Sequence, residues 1–185
     1  YAPFQPALWR NRIPKLNTTG LALAFEHALG ASNRTLDFVT SPRATKHVLH
    51  FKKTAYNWLN FCRELPPCYE GSSSVSHTQF DSIYFSDAEK RDMFTLLCNG
   101  KLMMIFWFAV GDDFHVTRWS FGDFPTDFSG LSEKHRADLL AHMPFLEKAM
   151  EAAVQFKLNA GRRVGNYNLA KCRDITNHSD LLLVE

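Results

Sequence analysis

Hydrophobic and polar positions follow two different periods along this chain. In the first part the period is short: "KHVLHFKK" and "FDSIYF", Phe80 to Phe85, alternate as half-buried strands do, and "RTLDFVTS" follows the same rule. "LALAFEHALG" fits either a short helix ending at Gly30 or a strand. "YAPFQPALWRNRIPKL" carries three prolines and reads as extended segments with turns. Pro66-Pro67 and "EGSSSVSH" mark a loop after the mixed segment "TAYNWLNFCREL".

From Ser86 onward the helical period takes over. Ser86-Asp87-Ala88-Glu89 has the form of a capping box, predicting a helix from Asp87 to about Cys98 with Met93, Leu96 and Leu97 on one face. Asn99-Gly100 ends it in the manner of left-handed C-terminal residues. Leu102 to Val110 follows as a second helix, apolar on all sides, so Phe106, Trp107 and Phe108 are expected to be mostly core. With Lys101 and Asp112 at its ends, that run is far shorter than the roughly 20 residues a membrane span needs. Asp112-Asp113 reads as a solvated corner, and His115 to Phe121, "HVTRWSF", as a strand that turns either Arg118 or Trp119 outward. Ser132 opens a long helical region reaching about Ala160, kinked or split at Pro144 and ended by Gly161-Arg162-Arg163. "LAKCRDITNHSDLLLVE" is left as a short tail.

The expected fold is therefore α+β, a mixed single domain over 1–185 with a strand-rich N-terminal half, 1–85, and a helical C-terminal half and tail, 86–185. The start at Tyr1, with neither an initiator methionine nor a secretory signal, gives the expectation of a piece cut from a longer protein.

Charge adds a location more than a total. The net charge is +2, but Arg34, Arg43, Lys46, Lys52 and Lys53 cluster with His47 and His50 against the single acid Asp37, which predicts one positive side. Ser41-Pro42 predicts a projecting loop that would present Arg43 and Lys46. Arg162 and Arg163 form a second basic pair. Cys62, Cys68, Cys98 and Cys172 form no C-x-x-C pair and read as buried thiols of a reduced, cytoplasmic setting, with no metal site expected.

No dinucleotide fingerprint, P-loop or G-x-S-x-G motif occurs, which lowers the enzyme reading. "LPPC", Leu65 to Cys68, superficially resembles the Asn-Pro-Pro-aromatic loop of amino-group DNA methyltransferases. Leucine stands where the asparagine amide would bind the target amine, so this is a plain loop breaker.

One segment carries more. "LLCNGKLMMIFWFAVGDDFHVTRWSFGDFP" resembles the middle of the C-terminal target recognition domains of N6-adenine DNA methyltransferases and Type IIG restriction-modification enzymes, through Leu97, Asn99, Phe106, Trp107, Phe108, Phe124 and Pro125; Gly100 replaces the usual serine. Tyr1, Pro3 and Phe4 resemble the start of such domains, with Ala2 and Gln5 departing from it, and "VGNYNLAKCRDITNHSD" resembles their tail. Leu8 to Phe80 has no match. The resemblance implies a non-catalytic domain that binds double-stranded DNA and selects its sequence. Adenine methylation, with S-adenosylmethionine as cofactor, would belong to an N-terminal methyltransferase domain of the same polypeptide; cofactor-binding and catalytic residues are expected in neither half of this chain. Arg34, Arg43, Lys46, Lys52, Lys53, Arg118, Arg162 and Arg163 are the candidate DNA contacts. A protein-interaction or scaffolding domain of a larger assembly is the alternative.

Overall fold

The structure, a computed structural model, describes residues 5–16, 18–31, 40–55, 58–125 and 128–184. Candidate Arg34 and most of the expected strand "RTLDFVTS" lie outside the described residues. The fold is α+β, with most strands in the N-terminal part and most helices in the C-terminal part.

Helix α1 (Thr19–Ala31) settles the ambiguous "LALAFEHALG" as helical and buries Phe25 and Leu29. Strands β1 (His47–Lys52), β2 (Phe61–Cys62) and β5 (Phe80–Phe85) form an antiparallel sheet in the order β2-β1-β5. Its core face presents Leu49, Phe51, Phe61, Ile83 and Phe85, every second residue along β1 and β5 as the strand period requires.

Against that face packs α2 (Ala88–Asn99), and α3 (Lys101–Val110) packs in turn on α2 and, through Phe106, on Trp9, Phe25 and Phe124. Phe51, Phe61 and Phe121 meet with ring centroids 5.0 to 5.9 Å apart, and Phe94 adds an edge against Phe85 and Phe121. Phe106 and Trp107 are fully buried, as expected, while Phe108 is 41% exposed at the rim. No single helix among the described residues is long and apolar enough to cross a membrane; α2 and α3 are apolar enough together but bend by 68° at their junction.

That junction has a specific construction. Asn99 is the last residue of α2 and is fully buried. Its Oδ1 accepts from the Phe61 N–H at 3.0 Å and its Nδ2 donates to the Phe61 carbonyl at 2.8 Å. The side chain thus does for Phe61 what a further strand would do for the edge of β2. Gly100 is not left-handed as the sequence suggested: its φ is −85°. Glycine is required because a Cβ there would lie 2.1 Å from Oδ1 of Asp180, whose Oδ2 accepts from the Lys101 N–H at 2.7 Å and caps α3 from across the fold.

Several other expectations are corrected. Asp87, not Ser86, caps α2: its carboxylate accepts from the Lys90 N–H at 2.8 Å, which a longer-reaching carboxylate one residue nearer the helix achieves better than the serine hydroxyl. "HVTRWSF" is not a strand. Pairing with Lys53 to Ala55 stops at Val116, and Ser120 Oγ, accepting from the Thr117 N–H at 3.1 Å, folds the next residues into the short helix α4 (Arg118–Gly122). The loop after Pro66-Pro67 contains strands β3 (Cys68–Glu70) and β4 (Ser73–Ser74), turned by Gly71 at φ 61°.

The long helix is split further than a kink. Ser132 caps α5 (Glu133–Leu140) through the His135 N–H, and α6 (Met143–Ala152) restarts with Pro144 in its first turn, where a missing N–H costs nothing. The chain then leaves the helical conformation altogether. Val154–Asn159 is strand β6 and Arg162–Tyr167 strand β7, and the tail after a short 3₁₀ segment is helix α7 (Arg173–Val184). The β6–β7 hairpin crosses back to pair with β3, completing a second antiparallel sheet in the order β4-β3-β7-β6.

Candidate nucleic-acid interface

The two sheets face each other across a cleft. They are tied at its base by polar contacts: Asn60 Nδ2 donates to the Tyr167 carbonyl at 3.1 Å, Tyr167 Oη to the Glu64 carbonyl at 3.1 Å, and His77 Nε2 to the Gly165 carbonyl at 3.0 Å. Since the Gln79 N–H points at His77 Nδ1, the ring is held as the neutral Nε2–H tautomer. Burial is the largest influence on His77 and lowers its pKa; the Gly165 hydrogen bond raises it and the charge of Lys52 lowers it. Gly165 lets the two backbones close up, for a Cβ there would sit 2.5 Å from the Pro67 carbonyl oxygen.

Above these ties the cleft opens to about 540 Å³. One wall carries Lys52 and Lys53 from the end of β1; the other carries Lys157, Asn159 and Asn166 from the hairpin. Strand parity explains much of the second wall. In β6, Gln155, Lys157 and Asn159 share one face of the hairpin and Phe156 and Leu158 the other, and at the end near the turn Lys157, Leu158 and Asn159 all border the cleft. Lys52 Nζ donates to Asn166 Oδ1 across the gap.

No carboxylate is among the described residues lining the cleft. Burial lowers the Lys52 pKa, and the charge of Lys157 lowers it further. Two ammonium groups that oppose each other's charge, beside amide side chains able to donate, give this cleft a positive character complementary to an anion. A smaller cavity of about 270 Å³ adjoins it under the hairpin turn and shares Thr78, Gln79, Asn159 and Val164.

The eight candidates from the sequence are thus distributed unevenly. Lys52 and Lys53 lie in the cleft, with Arg162 at the adjoining cavity, where it pairs with Glu70 at 3.3 Å. Arg163 is on the opposite face of the hairpin, its guanidinium 4.0 Å over the Phe156 ring and 5.9 Å from that of Tyr69. Arg43 and Lys46 are exposed at the other end of β1, roughly 17 Å along the strand. The loop holding Arg43 is tightened by Ser41 Oγ, which accepts from the Arg43 N–H at 3.2 Å. Arg118 donates to the Ser82 carbonyl at 2.7 Å and so occupies the outer edge of β5. Trp119 is also exposed, under the Arg12 guanidinium at 4.7 Å.

Lys157 and Asn159 were missed by sequence reasoning because 154–160 reads as the end of a helix, and Asn166 because "VGNYN" reads as the segment that terminates it. The signal available was the alternation V-Q-F-K-L-N followed by a two-residue Ala-Gly turn. The four cysteines are buried and unpaired. The thiols of Cys62 and Cys98 are pushed up by burial, which makes them poor nucleophiles. No family model, curated protein or solved structure matches the chain.

Proposed function

We propose that this chain is the target recognition domain of an adenine-specific DNA methyltransferase of a restriction-modification system. In this reading it binds duplex DNA and selects the sequence, while an S-adenosylmethionine-dependent domain on the same polypeptide transfers the methyl group, in the cytoplasm. The observation that carries the reading is the cleft in which Lys52, Lys53 and Lys157 converge without a carboxylate among its described lining residues. Ammonium groups held this way attract a phosphate backbone and gain by neutralisation, because an anion offsets both the burial that chiefly lowers the Lys52 pKa and the Lys157 charge that lowers it further. The resemblance of Leu96 to Pro125 and of the tail to such domains supplies the choice of DNA among polyanions.

A protein-interaction role has one observation of its own. Between α6 and α7 lies a mostly apolar groove of about 460 Å³, beside which Phe145 is 64% exposed.

Duplex binding measured over a salt series separates the two. DNA recognition requires that log affinity fall linearly with log salt, with a slope of about 0.9 for each phosphate contact. Selection from a random duplex pool, followed by sequencing, should then enrich one motif. Absence of salt-dependent duplex binding would remove the DNA reading and leave the α6–α7 groove as the working surface.

A further inference from the structure

The hairpin that forms one wall of the cleft ends in an unusual tip. Six consecutive residue pairs, from Val154–Tyr167 to Asn159–Arg162, run up to the turn Ala160-Gly161, whose φ values of 49° and 79° are both positive as a two-residue type I′ turn demands. Such a turn matches the natural twist of the strands, so the tip is held in one register. Just before it stands Leu158, 80% exposed and opposite Arg163.

A leucine there contributes nothing to this chain's own core. Its surroundings are cationic on both faces: Lys157 on the cleft side, and Arg163 on the side of Leu158 itself, parked over Phe156. Arg162 sits at the turn with Glu70, so the tip's nearby carboxylate is already engaged. An apolar side chain flanked by positive charge complements one kind of surface particularly well: stacked bases edged by phosphates.

We infer that the β6–β7 tip enters a groove of the bound duplex and that Leu158 wedges between adjacent base pairs, with Lys157 and Arg163 on the phosphates to either side. This rests on the DNA-binding reading above and adds a deformation to it. A two-stranded ribbon is narrow enough for a groove, and leucine is among the side chains that unstack a base step and kink the duplex. Lys157 links the two functions, since it belongs both to the tip and to the cleft that leads from Lys52 and Lys53.

The test uses the full chain, a short matched duplex, and the same duplex with one T·T mismatch beside a 2-aminopurine. A wedge works most easily where stacking is already weak, so the wild type should bind the mismatched duplex on the order of tenfold more tightly and raise the 2-aminopurine fluorescence. Leu158→Ala should melt like the wild type, keep the salt dependence on matched duplex, and lose both the preference and the fluorescence rise. Leu158→Phe should restore them. If Leu158→Ala binds and retains the preference, the wedge is overturned while the DNA-binding reading stands. Failure of the wild type to bind any duplex overturns both.

Discussion

Lys52 reaches from the end of β1 to Asn166 of β7, so its ammonium is fixed between two sheets and not left to wander in solvent. The tether holds it near Lys157, whose charge adds to burial in lowering its pKa.

That lowered pKa sets a pH dependence. Because the folded chain releases the Lys52 proton more readily than the unfolded chain, this residue's contribution to stability is fully present above the unfolded pKa of about 10.4 and is lost as pH falls through the lowered folded value. At neutral pH its charge is therefore a cost. Lys52→Met should raise the melting temperature at pH 7 and not above pH 10.5, flattening the curve between the folded value and about 10.4. Melting curves across that range check it; parallel curves for the two proteins would contradict it.

The cleft also ranks the basic residues. Replacing Lys52, Lys53 and Lys157 together with alanine should reduce the salt slope of duplex binding by up to about 2.7, three contacts at about 0.9 each. The loss should be alike on specific and random DNA, since phosphate contacts carry no sequence information. Arg43→Ala with Lys46→Ala, at the far end of β1, should change the slope by less than about 0.9. A larger effect from the second pair would place the duplex on the other end of the sheet.

Asn99 offers a stability test separate from binding. Asn99→Ala leaves the buried N–H and carbonyl of Phe61 without their partner, and each buried unpaired group costs about 1–3 kcal/mol. Chemical denaturation should show a loss of at least that size. Asn99→Asp should not rescue it, because a carboxylate cannot donate to the Phe61 carbonyl. A near-neutral alanine variant would mean that water replaces the amide.

Gly100→Ala should be costly although the backbone angle suits any residue. The new Cβ would meet Asp180 Oδ1, and pushing that carboxylate away also uncaps α3. Overpacking and loss of a cap suggest about 2–4 kcal/mol together. The double variant Gly100→Ala with Asp180→Ala should lose less than the sum of the two single changes, which a double-mutant cycle measures directly.

Much of this fold can be read from periodicity, and what could not has physical causes. β1, β5, α2 and α3 show clear periods because each buries one defined face or all faces. β6 does not: Met150, Ala153 and Val154 continue the helical spacing of α6 into it, and its turn places Ala160 at positive φ, where a non-glycine residue is uncommon. Missing β6 hid Lys157, and with it half of the cleft. Thr117 to Phe121 alternates as a strand does, but Ser120 competes for the Thr117 backbone and wins locally. The described part of the basic stretch was contiguous only in sequence, since β1 carries Arg43 and Lys46 to one end and Lys52 and Lys53 to the other. Asn99 and Gly100 were noticed for the wrong reason: both serve junctions with distant segments, which no local pattern reports.

The second sheet is also a matter of timing. The hydrogen bond between His77 and Gly165 joins residues 88 positions apart, so on the ribosome β3 and β4 emerge long before β7 exists. At ordinary synthesis rates that interval is on the order of five to twenty seconds. During it β3 shows an open edge that any strand of suitable length can take, and a neighbouring copy's β7 fits as well as its own. The brevity of β3, three residues long, keeps such exchange weak until the rightful hairpin arrives.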